Sequence, residues 1–248
     1  MATLGRGAAG SPRADALPPA EHKRAQVQSM FDRIAPRYDL MNRLMSGGLD
    51  QGWRRRALAL ARVGPGDRVL DLACGTGDLC ELAAALGARV VGADFAREML
   101  RGAQARGATP ALVQGDAAAL PFADASVTVV TCGFALRNFV SLADVFRELA
   151  RVLAPGGRIA LIDVDRPRSR LVRAGHSLYF DRIVPRLGGL LSDADAYRYL
   201  PQSTVYLPEP PALLAMLEGA GFRDVAKHRL LLGAAQILTA VRAAEAGE

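Results

Sequence analysis

The stretch Arg68-Val-Leu-Asp71-Leu-Ala-Cys-Gly75-Thr-Gly77-Asp78 decides the fold of this chain. A short apolar run ends in an acid, and a Gly-x-Gly turn follows and opens a helical pattern. Glycine lets the backbone approach a ligand where a Cβ would collide, and the first N–H groups of a helix have no partner within it. Together they make a seat for a nucleoside-like ligand. A dinucleotide fingerprint needs a third glycine, and Cys80 stands in its place. Asp71 would also repel a pyrophosphate. An acid at this point suits a cation, so the expected cofactor is S-adenosylmethionine, which carries a sulfonium and an ammonium group.

Outward from this turn the chain alternates between strand and helix. Strands are predicted at Arg68–Leu72, Arg89–Ala93, Ala111–Val113, Val127–Thr131 and Arg158–Asp163, with helices at Asp78–Leu86, Arg97–Arg106 and Leu142–Leu153 between them. Short apolar runs separated by helices imply a parallel sheet covered on both faces. Phe222–Leu231 and Ala235–Arg242, joined by a short Gly-containing link, read as an antiparallel pair. The fold class is therefore α/β: a class I S-adenosylmethionine-dependent methyltransferase, Rossmann-like, with a mostly parallel seven-stranded sheet closed by an antiparallel C-terminal hairpin.

The strand ends place the donor. Asp94 closes the second strand, at the edge where open α/β sheets bind ligands, and a carboxylate there can accept from ribose hydroxyls. Asp116 and Ala117 follow the third strand, where the carboxylate can accept from an adenine amino group and a backbone N–H can donate to the ring. Asp71, Gly75, Thr76, Gly77, Asp94, Asp116, Ala117 and Gly133 make up the expected donor site.

Residues 22–62 read as helices broken at Gly47-Gly48, with apolar positions at Val27, Met30, Phe31 and Ile34, then Leu40, Leu44 and Met45. This N-terminal lid belongs with residues 22–243 to one domain, which carries a helical insertion at 171–219; residues 1–21 read as a disordered leader. Residues 1–19 lack the apolar centre of a secretory signal, and no run is long enough to span a bilayer. Cys74, Cys80 and Cys132 are odd in number and lack Cys-x-x-Cys spacing, which reads as reduced thiols of a cytoplasmic protein. The three histidines are scattered, so no metal is expected.

A net charge of +6 is the one argument for a nucleic-acid partner. No added nucleic-acid module accompanies it, and none is expected. Arg166, Arg168, Arg170 and Arg173 form the one dense basic cluster. It reads as a solvated surface, with phospholipid headgroups as the alternative. After the fourth strand, enzymes that methylate exocyclic base nitrogens carry Asn/Asp-Pro-Pro-aromatic. This chain has Thr131-Cys-Gly-Phe-Ala-Leu-Arg-Asn138 instead, against that activity.

Met30-Phe-Asp-Arg-Ile-Ala-Pro-Arg-Tyr-Asp-Leu-Met-Asn42, Met45-Ser-Gly-Gly-Leu49, Phe134-Ala-Leu-Arg-Asn138, Leu153-Ala-Pro-Gly-Gly-Arg158 and Tyr197-Arg-Tyr-Leu-Pro201 resemble the ubiquinone/menaquinone biosynthesis C-methyltransferases. The likeness runs from about Val27 to Arg242. It implies C-methylation of a prenylated quinol, demethylmenaquinol to menaquinol, with donor contacts at Thr76, Asp94, Asp116 and Ala117. Some members carry serine at the position of Gly133, where only backbone contact is left here. Asp163-Val-Asp-Arg-Pro167 departs from a Glu-Phe-Ser-x-Pro pattern, and Gly233-Ala-Ala-Gln236 from a Gly-Gly stretch. The first departure motivates an alternative: a related methyltransferase for another small lipophilic or phenolic acceptor.

On the acceptor side the expected catalytic residues are Arg137, Asn138 and Tyr38. Arg137 is a fixed cation suited to a developing phenolate and unsuited to act as a base; a polarised water or Tyr38 is the expected proton relay. A substrate with an isoprenoid tail stays in the bilayer, so peripheral attachment at the inner face of the cytoplasmic membrane is expected. Monomer and homodimer are both open.

Overall fold

The computed structural model describes residues 20–107, 110–165, 203 and 206–244. Seven strands form one sheet: β1 Arg68–Leu72, β2 Arg89–Asp94, β3 Ala111–Gln114, β4 Val127–Gly133, β5 Leu153–Val164, β6 Phe222–Leu230 and β7 Ala235–Arg242. Their order is β3-β2-β1-β4-β5-β7-β6. The pairs among β1 to β5 are parallel, and β7 runs antiparallel to both β5 and β6. The chain winds outward from β1 in one direction and resumes on its other side at β4. The crevice between the carboxyl ends of β1 and β4 is thus the switch point at which such sheets bind ligands.

Alternation along the strands sends side chains to two separate cores. Leu70, Val130, Ile159 and Leu161 face one layer, where α6 (Leu142–Val152) and α7 (Pro210–Gly219) supply Phe146, Leu149, Leu213 and Leu217. Val69, Val129, Ala160 and Ile162 face the other, covered by α3 (Leu49–Leu60) and α4 (Asp78–Ala85) through Leu58, Leu79 and Ala83. The periodicity of α6 explains its place: Val145, Phe146, Leu149 and Val152 line its buried face, and Ser141 caps it by accepting from the Asp144 N–H at 3.2 Å. Phe146 is fully buried, and Phe146→Ala would cost ~3–5 kcal/mol.

Two helices, α1 (Ala20–Ile34) and α2 (Tyr38–Ser46), lie over the carboxyl edge, with α5 (Arg97–Ala105) beneath α1. Met30 and Ile34 pack on Ala96 and Met99. A single 3₁₀ turn, Ala35–Arg37, joins α1 to α2. It has three residues per turn, so the apolar phase is reset. Met41 is fully buried while Leu40, expected among the apolar positions, is 51% exposed. The strand boundaries match expectation within a few residues except at β5, which begins at Leu153 and carries an irregularity opposite β4 between Val127 and Val129. The leader through residue 19, the helix expected at 171–184 and the basic cluster at 166–173 lie outside the described residues.

Candidate active site

The turn after β1 alternates in backbone hand. Ala73, Gly75 and Gly77 have φ of +52°, +56° and +93°, a conformation that suits the two glycines and strains the alanine. A Cβ on Gly75 would stand 3.7 Å from the Tyr38 ring. Tyr38 therefore covers the turn from the lid.

Asp94 ties this turn to the next strand end. Its carboxylate accepts from the Gly75 N–H and the Ala96 N–H, both at 2.8 Å, and each oxygen keeps capacity for a further bond. Burial pushes the carboxyl up to about 6, and the backbone N–H groups oppose that shift. Asp71 lies deeper, accepting from Thr131 Oγ1 at 2.8 Å and from Cys80 Sγ at 3.4 Å. Burial raises it to about 7. Both Asp71 oxygens are engaged by protein groups beneath the turn. Among the described residues neither carboxylate has an ion-pair partner. The crevice beside the β1 turn therefore holds two buried carboxyls that a cationic ligand would draw into their ionised form.

The other residues expected to hold the donor lie at the ends of neighbouring strands. Thr76 is buried and its hydroxyl donates to Asp39 of α2. Asp116 accepts from the Ala118 N–H at 3.0 Å and pairs with Arg24 of α1 at 2.9 Å. Ala117 is buried beside it. Gly133 ends β4, where a Cβ would come within 3.2 Å of Leu79. The lid is fastened to these loops at further points: Gln28 donates to the Phe95 carbonyl, and Asp32 accepts from the Glu98 N–H. Arg106 gathers Asp39, Asp78 and Glu81.

Two of the residues expected on the acceptor side, Arg137 and Asn138, lie on the 3₁₀ turn Leu136–Asn138 after β4. Arg137 is 5% exposed. Its Nη1 meets Asp163 Oδ1 at 2.5 Å and the Phe134 carbonyl at 2.7 Å, Nε donates to Ser203 Oγ at 3.1 Å, and its own N–H donates to Asp163 Oδ2 at 3.1 Å. Asp163 is fully buried, so the pair holds the guanidinium rigid. Asn138 is buried beside it, its N–H donating to the Ala135 carbonyl at 2.8 Å. Tyr38 feels both halves of the crevice, Asp94 on one side and Arg137 and Arg54 on the other, and bonds to Asn42. Burial raises its pKa, so at neutral pH it is a hydrogen-bond donor and a poor base.

Sequence reasoning missed three members of this cluster. Asp163 stood out only as a departure from a motif, and it is the counter-ion of Arg137. Ser203 and Lys23 carried no signal: each is buried against a residue far away in the chain. Lys23 donates to the carbonyls of Arg137 at 3.2 Å and Phe139 at 2.8 Å. Among the described residues no group of three or more His, Cys, Asp or Glu could hold a metal, and no helix is long and apolar enough to cross a membrane. The three cysteines are free and buried.

The sheet order, the glycine turn and the acids ending β2 and following β3 define a class I methyltransferase of the S-adenosylmethionine-dependent kind. A solved S-adenosylmethionine-dependent methyltransferase from Aquifex aeolicus superimposes with a TM-score of 0.59 at 16% identity, covering 82% of this chain and 97% of that one. The chain belongs to the ubiE/COQ5 methyltransferase family, whose profile matches residues 20–242. It is 45% identical over 231 residues to a demethylmenaquinone methyltransferase of Roseiflexus castenholzii, covering 91% of this chain and 97% of the relative. A demethylmenaquinone methyltransferase of Thermus thermophilus is 48% identical over 215 residues, covering 84% and 97%.

Proposed function

We propose that this chain methylates a ring carbon of a prenylated hydroquinone, converting demethylmenaquinol to menaquinol. The observation that carries the reading is what lines the two sides of the crevice. Asp71 and Asp94, without an ion-pair partner among the described residues, lie under the β1 turn, while the buried Arg137 guanidinium, held by Asp163, lies at the end of β4. An enzyme joining a cationic donor to an anionic aromatic nucleophile needs such an arrangement, and the two relatives above carry that activity in their names.

Asp94, the Gly75-Thr76-Gly77 turn and Asp116-Ala117 would hold S-adenosylmethionine. When bound, it supplies a methyl carbon made electrophilic by sulfur. The chain's residues do the rest by positioning and electrostatics. Asp163 fixes Arg137, which faces the acceptor loop with its charge already desolvated. It stabilises a hydroxyl of the acceptor in its ionised form, and that oxyanion makes the neighbouring ring carbon nucleophilic. Tyr38 closes over the Gly75 turn, excludes water and can donate to the same oxygen. Asn138 helps orient the ring. The ring proton displaced by the new carbon–carbon bond leaves to solvent or a polarised water. A quinone lacks the ionisable hydroxyl, so only the reduced acceptor reacts.

The motive for another phenolic acceptor was the Asp163–Pro167 segment. Asp163 serves as counter-ion to Arg137, a role that glutamate fills equally in charge, so that departure gives the alternative little support. The quinol reading also places the protein at a membrane surface. The β6–β7 turn, on the same sheet edge as the site, presents Leu231 and Leu232 at 54% and 80% exposure. Purified protein with labelled S-adenosylmethionine should label reduced demethylmenaquinone and leave the oxidised form unlabelled. Equal labelling of both forms, or of neither, would overturn the proposal.

A further inference from the structure

Three cations are buried among the described residues: Arg54, Arg137 and Lys23. Arg54 pairs with Asp50 and Asp78, and Arg137 with Asp163. Lys23 has no carboxylate partner among the described residues. Its Nζ touches the Arg137 and Phe139 carbonyls and stands 3.9 Å from the centre of the Tyr206 ring. An ammonium buried without a counter-ion is costly, and burial alone lowers this lysine to about 8. Because Arg137 and Asp163 offset each other, the cluster keeps one excess positive charge.

A second observation points to the same place. Two buried side-chain atoms lack a hydrogen-bond partner among the described residues, Tyr206 Oη and Gln236 Oε1. Tyr206 is the ring beneath Lys23. Gln236 lies opposite Asp163 in the β5–β7 register and donates from Nε2 to the Val164 carbonyl at 3.0 Å. Leaving such polar atoms unpaired is costly, and both adjoin the Arg137–Asp163 pair, Tyr206 through Lys23 and Gln236 through the β5–β7 register. The nearest charged groups in the chain around Lys23 are Arg24, next on α1 and paired with Asp116, and Arg137, whose carbonyl Lys23 touches and which pairs with Asp163.

We propose that Lys23 and Tyr206 complete the acceptor's oxyanion site: the ammonium balances the ionised hydroxyl, and the Tyr206 hydroxyl donates to it. This rests on the quinol reading and adds a consequence. Lys23 rides on α1, so the site has its full charge only when the lid helix is docked. Docking of the lid and ionisation of the acceptor are thereby coupled. Gln236 Oε1 remains as an acceptor for a hydroxyl that keeps its proton.

The test follows kcat/KM for reduced demethylmenaquinone against pH in wild type, Lys23→Met, Lys23→Arg and Tyr206→Phe, with donor Kd measured by calorimetry. Lys23→Met should lose about 100-fold in kcat/KM, as removal of one oxyanion donor does, and Tyr206→Phe about tenfold. Donor Kd should stay within about twofold. Wild type should lose activity above about pH 8, where Lys23 gives up its proton, and Lys23→Arg should not, because arginine stays charged. If Lys23→Met does not fold, the alkaline limb and the Tyr206→Phe loss decide the question. Full activity in Lys23→Met or Tyr206→Phe, or a donor Kd weakened by as much as the rate, would overturn the inference while wild type still methylates quinol. A wild type inactive on quinol would overturn the proposed function itself, and this inference with it.

Discussion

Asp94→Asn separates donor binding from folding, and the structure sets both magnitudes. The carboxylate accepts two backbone N–H groups at 2.8 Å. An asparagine can accept only one of them, and its amide nitrogen would face the other, which costs ~1–3 kcal/mol. Against this, the native carboxyl is raised from 3.8 to about 6 by burial. A raised carboxyl keeps its proton in the folded protein after the unfolded chain has lost it. Stability therefore falls as pH rises between those values, by ~3 kcal/mol in all, and the cost stays in place above them. Asparagine escapes that cost. At pH 7 the two effects nearly cancel, and the variant should melt within a few degrees of wild type; near pH 4 it should be clearly less stable. Donor affinity has no such compensation. Loss of charge-assisted bonds to the ribose hydroxyls should weaken S-adenosylmethionine by ~1.5–3 kcal/mol, roughly 10- to 150-fold. Calorimetric titration from pH 5 to 8 checks this. Wild-type affinity should strengthen with pH through about 6 and about 7, the values of Asp94 and Asp71, and the variant should retain only the upper limb. Undiminished affinity in the variant, or an unchanged pH profile, would refute the reasoning.

Two further expectations concern the buried pair and the glycine turn. Arg137→Met leaves Asp163 buried and uncompensated, so urea unfolding should show a loss of ~3–5 kcal/mol. The double variant Arg137→Met/Asp163→Leu should regain most of that stability and none of the methyl transfer; recovered activity would remove Arg137 from the acceptor site. Gly75→Ala forces a Cβ onto a left-handed residue and should cost ~1–2 kcal/mol, with donor Kd rising in parallel because the turn relaxes. Equal affinity would mean that the turn's shape does not hold the donor.

Features set by local pattern were legible in the sequence, and features set by register were not. β1, β2 and β4 followed from apolar runs, and the donor turn followed from two glycines behind an acid. The position of Asp71 required the β1–β4 register, which sets it beside Thr131 and turns its carboxylate to the protein. The Leu40 expectation assumed continuous helical phase, and the 3₁₀ turn at Ala35–Arg37 shifted that phase to Met41. Arg137 and Asn138 were singled out through resemblance, and the structure buries both. Asp163 is 26 residues beyond Arg137 and Lys23 is 114 before it, separations over which no periodicity or spacing carries information. Leucines at 231 and 232 gave no hint of positive φ, which glycine would have announced.

The central claim is that the carboxyls on one side of the crevice and the Asp163-held Arg137 on the other direct a methyl group onto carbon. Single-turnover reaction with donor labelled by ¹³C at the methyl, followed by carbon NMR of the extracted lipid, tests it most directly. The account predicts one new signal at the shift of a methyl on an aromatic ring carbon. A methoxy signal, or no label in the reduced quinone, would contradict it.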